Sequence, residues 1–346
     1  MSYNNYSGER EAHNFNRRSW AEAKVRAKEQ TGWIVPGLIS STTTLLFGQS
    51  KVGKSFLTSA LMAAMVTKTQ FLGEDIENRD WKIAIGISDD DADVDHIDRV
   101  HTVVPEDVEI EADFFEMPRM RSIELWHDLF REVTEGGFNF LILDNATGLT
   151  RGSLSDDNST NDFFEGVRLF TRAGIPVLII AHETDKTGVN GPSGLPVGSF
   201  AWTANSKSRI QIYRTNGKVF LKTKSNNAPE TRYKLHHGAG ARFTLLEKKS
   251  MEEIRAEREA KAQEREQQKE EKAKQQEEKT QAQETEETAI ASFIVAECQG
   301  MTQADVAKAV VGKFGGTESA RVTALSKKRG FGKRVLKDGT TWTLAS

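Results

Sequence analysis

A glycine-containing loop of eight residues constrains this chain more than any other stretch. Residues 48–55 read Gly-Gln-Ser-Lys-Val-Gly-Lys-Ser, which fits the pattern G-x-x-x-x-G-K-[ST]. The apolar and β-branched residues 42–47 predict a buried strand before it, and residues 56–65 predict a helix after it. A strand, this loop and a helix, in that order, are the setting in which the loop binds phosphate. We therefore predict a nucleotide-phosphate site here.

The residue types of the loop suit that chemistry. Two glycines, Gly48 and Gly53, let the backbone curl so that successive N–H groups point at phosphate oxygens. The helix that follows adds the positive end of its dipole. Lys54 is expected to reach the β- and γ-phosphates, and Ser55 to ligate Mg²⁺. The predicted binding residues are Gly48, Gln49, Ser50, Lys51, Val52, Gly53, Lys54 and Ser55. The Lys51 side chain either touches phosphate or is solvated.

Composition sets wider limits. With 346 residues the chain has room for two domains and a linker. Its net charge of −3 creates no global field for nucleic acid, so any basic surface must be local. The single cysteine, Cys298, permits no intrachain disulfide and fits a reducing cytosol. Because there is no membrane-length apolar run and the first residues are polar, we expect a cytoplasmic protein with no membrane partner.

Predicted strands and helices alternate after the loop. The strands cover 82–87, 114–117, 138–144, 176–181 and pieces of 208–246; the helices cover 92–103, 123–134 and 162–173. Such alternation predicts a parallel sheet with helices on both faces and ligands at the carboxyl ends of the strands.

A carboxylate, Asp144, ends the apolar strand at 138–144. A carboxylate at this place can bind Mg²⁺ through water, so Ser55 and Asp144 are the predicted metal residues. The next residue is Asn145 rather than Glu, and the catalytic base must therefore come from elsewhere.

Composition changes at about residue 248. Residues 248–288 are mostly Glu, Lys, Arg, Gln and Ala, without the apolar repeat of a coiled-coil seam. They predict a solvated single helix or a partly disordered linker, and a coiled coil is a further alternative. The predicted domains are a polar segment at 1–30, an α/β domain at 31–247, the linker at 248–288 and a small domain at 289–346.

The pattern of residues 290–346 predicts helices at 291–297, from residue 302 and at about 318–328, then a hairpin of 331–336 and 340–344. Three helices and a hairpin resemble a winged helix-turn-helix domain. Residues 290–346 hold nine Lys and Arg against four Asp and Glu, a balance of +5 in a negative chain. The basic residues gather on the third helix and the hairpin, where a DNA reader needs them. A protein-interaction module with an ordinary charged face is the alternative. The predicted DNA-binding residues are Arg321, Lys327, Lys328, Arg329, Lys333 and Arg334.

Over about residues 33–246 these motifs resemble the RecA-like ATPases and, within them, the RepA/DnaB-type hexameric helicase group. The chain is also similar to AAA family ATPases of phages and plasmids, which would place it in a host cytoplasm. The resemblance implies a RecA-like fold, ATP and Mg²⁺ as cofactors, a homo-oligomer that forms a hexameric ring, and single- or double-stranded DNA as partner. Replication or recombination proteins are further expected partners.

The resemblance also assigns catalytic roles. In the family a carboxylate after the second core strand orients the attacking water, and the matching positions here are Asp89 and Asp90, where the family usually has Glu. A polar sensor follows the strand after Asp144, and His182 matches it; the alternative is a structural histidine.

Two further features concern DNA and the neighbouring subunit. A flexible loop that meets DNA in the family matches residues 184–202, where Lys186 could contact phosphate. Lys207 and Arg209 match the basic residues that reach a neighbour's ATP, and both could equally be surface charges.

Two functional hypotheses follow. The first is an ATP-hydrolysing DNA motor or remodeller in replication or recombination, helicase-like or RecA-like. The second is an ATP-switched DNA-binding initiator, helicase loader or regulator with slow hydrolysis. Aspartates in place of glutamate favour the second, and the family resemblance favours the first. A small-molecule kinase is disfavoured, because no lid-like cluster of arginines is visible.

Overall fold

The computed structural model describes residues 17–29, 32–153, 156–183, 200–339 and 341–345. The chain forms two compact units, Met1–Ile254 and Arg255–Ser346. Among the described residues, no helix combines the length and the apolar composition that crossing a lipid bilayer requires.

The described part of the first unit contains eleven strands. They are β1 (Trp33–Val35), β2 (Ile39–Ser40), β3 (Thr43–Gly48), β4 (Ile83–Ile87), β5 (Ala112–Glu116), β6 (Phe140–Asp144), β7 (Val177–His182), β8 (Ser208–Thr215), β9 (Lys218–Ser225), β10 (Thr231–His237) and β11 (Phe243–Ser250). The helices that accompany them are α1 (Trp20–Glu29), α2 (Lys54–Thr67), α3 (Ala92–His101), α4 (Ile123–Glu135), α5 (Ala146–Leu149), α6 (Asp157–Arg172) and α7 (Ala201–Ala204).

Nine of these strands form one sheet in the order β11-β10-β9-β8-β3-β7-β6-β4-β5. Strands β5, β4, β6, β7, β3 and β8 are parallel, and β9 to β11 continue the sheet in antiparallel fashion. The predicted α/β class with a mostly parallel sheet is confirmed, and this mixed sheet fits a RecA-like fold. The loop at 48–55 follows the central strand, β3.

Alternation along the strands builds a hydrophobic layer on each face of the sheet. In β3, Leu46 packs into the layer that holds α2 and α3, whereas Leu45 and Phe47 pack into the layer that holds α4 and α6. Because successive side chains of a strand point to opposite faces, one apolar run fills both layers. This explains why the core strands read as continuous apolar runs rather than as alternating ones.

Two predictions for this unit need correction. Helix α6 begins at Asp157 rather than at residue 162, because the side chain of Asp156 accepts a hydrogen bond from the backbone N–H of Ser159 and caps the helix there. The short helices α5 and α7 were not predicted, since four residues are too few to show a helical period.

The second unit contains most of one long helix and a small core. Helix α8 runs unbroken over Met251–Glu297, so the separate helix predicted at 291–297 is the end of α8. It is followed by α9 (Gln303–Phe314), α10 (Glu318–Ser326), a 3₁₀ turn at Gly330–Lys333, and the antiparallel strands β12 (Val335–Asp338) and β13 (Thr341–Leu344). Ile290 and Ile294 of α8 pack with Val306, Val310 and Trp342 in this core.

The hairpin is shorter than predicted. Residues 331–334 were expected to be strand, but they lie within or beside the 3₁₀ turn, where Phe331 and Gly332 are buried. A Cβ atom at Gly332 would collide with the carbonyl oxygen of Ala324, so the backbone passes tightly over α10 here. This close approach explains why the chain is not extended until Val335.

Candidate nucleotide-binding site

The loop at 48–55 keeps its shape through two glycines that act differently. Gly53 has φ 114°, in the region that favours glycine. Gly48 is required for space, because a Cβ atom there would collide with the carbonyl oxygen of Ile212 on the neighbouring strand. Gly53 also precedes α2, whose first N–H groups have no side-chain cap among the described residues. The loop therefore presents backbone donors at a helix N-terminus, which is a favourable place for phosphate.

Lys54 lies inside this loop with a side chain that is largely buried. Its Nζ atom donates to the carbonyl oxygens of Gly48 and Gln49, both at 3.0 Å, and lies 3.4 Å from Nδ1 of His182. Burial lowers the pKa of the Lys54 ammonium, and the negative charges of Asp144 and Glu183 oppose that shift. Carboxylates on two sides thus favour the charged form of an ammonium placed to meet phosphate.

Ser55 and Asp144 meet at the carboxyl ends of β3 and β6. The Ser55 hydroxyl donates to Oδ2 of Asp144 at 3.1 Å, across 89 positions of sequence. Mg²⁺ prefers oxygen ligands and is usually held by one or two carboxylates together with substrate phosphates and water. A hydroxyl and a carboxylate side by side, next to a phosphate loop, fit that requirement.

The acidic turn after β4 reads Ser88-Asp89-Asp90-Asp91, and its two predicted catalytic residues, Asp89 and Asp90, differ in their hydrogen bonds. Oδ2 of Asp89 accepts a hydrogen bond from the side-chain amide of Asn145 at 3.2 Å, and Oδ1 accepts one from the Ser88 hydroxyl at 3.2 Å. Ser88 also accepts from the backbone N–H of Asn145, which follows Asp144 directly. Both aspartates are exposed, but Asp89 is tied to the residue beside the predicted metal carboxylate, whereas the Asp90 carboxylate has no hydrogen bond within the described part of the chain.

Strand β7 brings a histidine and a glutamate to the loop. His182 is paired in register with Gly48, and the backbone N–H of Glu183 donates to the carbonyl oxygen of Gly48 at 2.9 Å. The Glu183 side chain is buried and accepts from the amide of Gln211 at 3.0 Å. The predicted sensor thus lies beside Lys54, and Glu183 is a second carboxylate that the sequence reasoning did not single out.

Lys207 and Arg209, the residues predicted to reach a neighbour's ATP, pair with the first half of β3. Lys207 donates its backbone N–H to the carbonyl oxygen of Thr43, and Arg209 pairs with Leu45. Their backbones therefore lie towards the start of β3, whereas the loop follows its end. Lys186, the predicted DNA contact, lies outside the described residues.

Sequence reasoning missed several neighbours of the loop. Arg214, near the end of β8, donates to the carbonyl oxygen of Val52 at 3.3 Å and lies 3.1 Å from Nδ1 of His237. The ring of His237 stacks on Phe243 and meets Phe56 edge-on. His96 on α3 lies behind Asp144. No sequence motif marks these positions, because their distance from the loop depends on the order of the strands in the sheet.

The basic residues of the second unit fall into two groups. Arg321 and Arg334 are each paired with a glutamate of α8, at 3.2 Å from Glu286 and 3.6 Å from Glu287. The other four predicted DNA-binding residues are exposed: Lys327, Lys328, Arg329 and Lys333. The exposed group, in contrast to the paired one, presents its charge to solvent.

The chain matches a model of a known protein family. A family model described as an AAA domain, AAA_25, matches residues 9–188, a stretch that contains the loop, Asp89, Asp144 and His182. Comparison with the curated proteins gives no match.

Proposed function

The chain belongs to the AAA_25 family of AAA domains, and we propose on that premise that this P-loop ATPase couples ATP hydrolysis to the movement or remodelling of DNA in replication or recombination. The observation that carries the ATPase part is the meeting of Lys54, Ser55, Asp144 and His182 at the carboxyl ends of β3, β6 and β7. Groups from separate elements converge where the loop would hold the terminal phosphates.

The roles of the residues follow from charge and geometry. The loop N–H groups and the Lys54 ammonium would hold the phosphates. Ser55 and Asp144 would hold Mg²⁺, which offsets phosphate charge when it is bound. His182, whose Nδ1 atom lies 3.4 Å from Nζ of Lys54, would respond to the γ-phosphate.

Asp89 is our candidate for the group that orients the attacking water. Asp89 follows the end of β4, the strand that pairs with β6. Both of its carboxylate oxygens accept hydrogen bonds, one from Ser88 and one from Asn145. A carboxylate that accepts hydrogen bonds in fixed directions keeps one orientation, and orientation is most of what such a group contributes to phosphoryl transfer. Many ATPases have a catalytic glutamate at the position of Asn145, directly after the metal-binding aspartate. In this chain Asn145 would instead orient Asp89 through a hydrogen bond.

Assembly is part of the proposal. Because the backbones of Lys207 and Arg209 lie towards the start of β3 rather than beside the loop, we propose that they act on the nucleotide of a neighbouring copy. Hydrolysis would then depend on a ring or filament of this chain, and we propose a hexameric ring. The exposed lysines and arginine of the second unit, in a winged-helix-like arrangement, would supply the contact with DNA phosphates.

A second function is favoured by one observation. The side chain of Asp89 is one methylene shorter than the glutamate that the resembled family usually has at this position, which suits slow turnover. In that alternative, ATP switches the assembly of a DNA-binding initiator, helicase loader or regulator, and the second unit finds the DNA site.

The experiment that tests the proposal is the steady-state ATPase rate of the full chain with and without single-stranded DNA, beside Lys54→Ala. Lys68→Ala is the matched control, because Lys68 follows α2 at its other end and pairs with Asp80 on the surface. We expect stimulation by DNA that Lys54→Ala abolishes and Lys68→Ala retains. A slow rate indifferent to single strands would instead support the switch.

A further inference from the structure

His96, a buried histidine that belongs to none of the motifs, contacts Asp144 of the Ser55–Asp144 pair. The His96 side chain is 1% exposed. Its Nε2 atom lies 3.2 Å from Oδ2 of Asp144, and its Nδ1 atom lies 3.1 Å from the Ser59 hydroxyl oxygen. Ser59 is itself fully buried. Both ring nitrogens therefore face a polar partner, although the ring lies inside the protein.

The chemistry of Asp144 fixes the direction of one of these hydrogen bonds. An ionised carboxylate can only accept, so Nε2 of His96 donates to Asp144. The Ser59 hydroxyl, which can donate or accept, lies within hydrogen-bond distance of Nδ1. Hydrogen bonds therefore link Ser59 through His96 to Asp144.

This chain of hydrogen bonds joins three elements. Ser59 lies on α2, which begins within the phosphate loop, and His96 lies on α3, which follows the acidic turn that carries Asp89. Asp144 is the last residue of β6. The ring of Phe114 on β5 lies 6.2 Å from the His96 ring and closes its side. His96 thus contacts Ser59 and Phe114 while it hydrogen-bonds to Asp144.

We infer that His96 is a positioning residue that fixes the Asp144 carboxylate in the orientation needed to bind Mg²⁺ with a nucleotide. The inference rests on the proposed nucleotide function. Groups that orient a metal ligand from behind usually change metal affinity or activity by about 10- to 100-fold when they are removed. His96 needs no contact with nucleotide or metal for this role.

The test separates the hydrogen bond from the packing. His96→Phe keeps a ring in the cavity but donates no hydrogen bond, and His96→Gln keeps an N–H donor. The affinity of the full chain for a fluorescent ADP is measured with MgCl₂ and with EDTA, so the readout is the gain in affinity due to Mg²⁺. We expect His96→Phe to reduce that gain by about 10-fold or more and to leave binding in EDTA unchanged, whereas His96→Gln retains most of it.

Two controls keep the result decisive. His101→Ala changes another histidine of α3 that contacts the Val104 carbonyl oxygen, and it should keep the wild-type gain. Ser59→Ala should reduce the gain less than His96→Phe, because Asp144 keeps its donor. A wild-type gain in a folded His96→Phe variant would overturn the inference. Failure of the wild type to bind ADP under either condition would overturn the proposed nucleotide function instead.

Discussion

At the residue scale, Asp89 and Asp90 are chemically alike and both exposed, but they differ in their hydrogen bonds. Ser88 and Asn145 bind the carboxylate of Asp89, whereas the Asp90 carboxylate has no hydrogen bond among the described residues. Because a freely rotating carboxylate loses orientation when it is needed to direct a water molecule, we propose the water-orienting role for Asp89.

This assignment makes a prediction about turnover. Asp89→Asn should lower kcat for ATP hydrolysis by about 100-fold, within the range that a positioned proton acceptor contributes, and Asp90→Asn should lower it much less. Asp98→Asn, an exposed change on α3, serves as control in the same steady-state assay. A larger loss for Asp90→Asn than for Asp89→Asn would reverse the assignment.

His237 gives a prediction about pH. Burial is the main cause that lowers its pKa, with help from the Arg214 charge, against the hydrogen bond to Gly240. The unfolded chain therefore takes up a proton at a higher pH than the folded chain does. Stability should fall as the pH drops below about 6.5 towards the lowered pKa of the folded state.

The measurement is the denaturation midpoint as a function of pH. His237→Phe can keep the ring contacts with Phe56 and Phe243 but cannot take up a proton. This variant should therefore lose less stability than the wild type between neutral pH and mildly acidic pH. If the midpoints of the two proteins change with pH in parallel, protonation of His237 does not contribute to the pH dependence of stability.

A local pattern marks some residues of the candidate site. A motif marks the loop residues and a strand end marks Asp144, and the fold brings Ser55 of the loop into contact with Asp144. His96, Arg214 and Glu183 lie next to these groups only through the strand order and the packing of α3. No local pattern encodes that order, so their roles had to come from the structure.

At the scale of elements, the packing of α4 against α6 depends on one small residue. A Cβ atom at Gly166 of α6 would overlap the indole ring of Trp126 of α4. That ring also packs edge-on against Phe163 and Phe170. The two helices can therefore approach closely only because position 166 lacks a side chain.

Gly166→Ala tests this packing. Alanine in a helix interior normally stabilises by about 1 kcal/mol relative to glycine, but overpacking a core costs about 1–3 kcal/mol. We expect a net destabilisation, measured by chemical denaturation. Gly312→Ala is the matched control, since it lies in α9 with nothing within 4 Å of an added Cβ, and it should stabilise. Stabilisation by both changes would contradict the packing argument.

One helix boundary had a signal that sequence reasoning passed over. Ser250 and Glu253 bond each other reciprocally through side chain and backbone before α8, as a capping box does. The spacing Ser-x-x-Glu is local and marks the start of α8 at Met251. The shorter first strand of the hairpin had no such signal, because the contact of Gly332 with Ala324 is made by the fold.

At the scale of the whole molecule, the charge of the second unit is divided. Glutamates of α8 offset Arg321 and Arg334, while Lys327, Lys328 and Lys333 are exposed. Phosphate contacts release counterions, so each lost contact lowers the slope of log affinity against log salt by about 0.9 for duplex DNA.

The prediction compares two multiple variants of the full chain in duplex binding at several salt concentrations. Replacing Lys327, Lys328 and Lys333 by alanine should weaken binding and reduce the salt slope by about 2–3. Replacing Arg321 and Arg334 should change the slope less, because their charges already have partners. Equal slopes for the triple variant and the wild type would remove this surface from the proposed function.

The central place of β3 has a consequence for how the protein is made. Its partners in the sheet are β7, where Thr43 meets Val177, and β8, where Thr44 meets Ser208. A ribosome delivers β3 early and both partners much later, so the strand that carries the loop must wait unpaired in the nascent chain. ATP therefore has no finished site to bind until translation has passed β8.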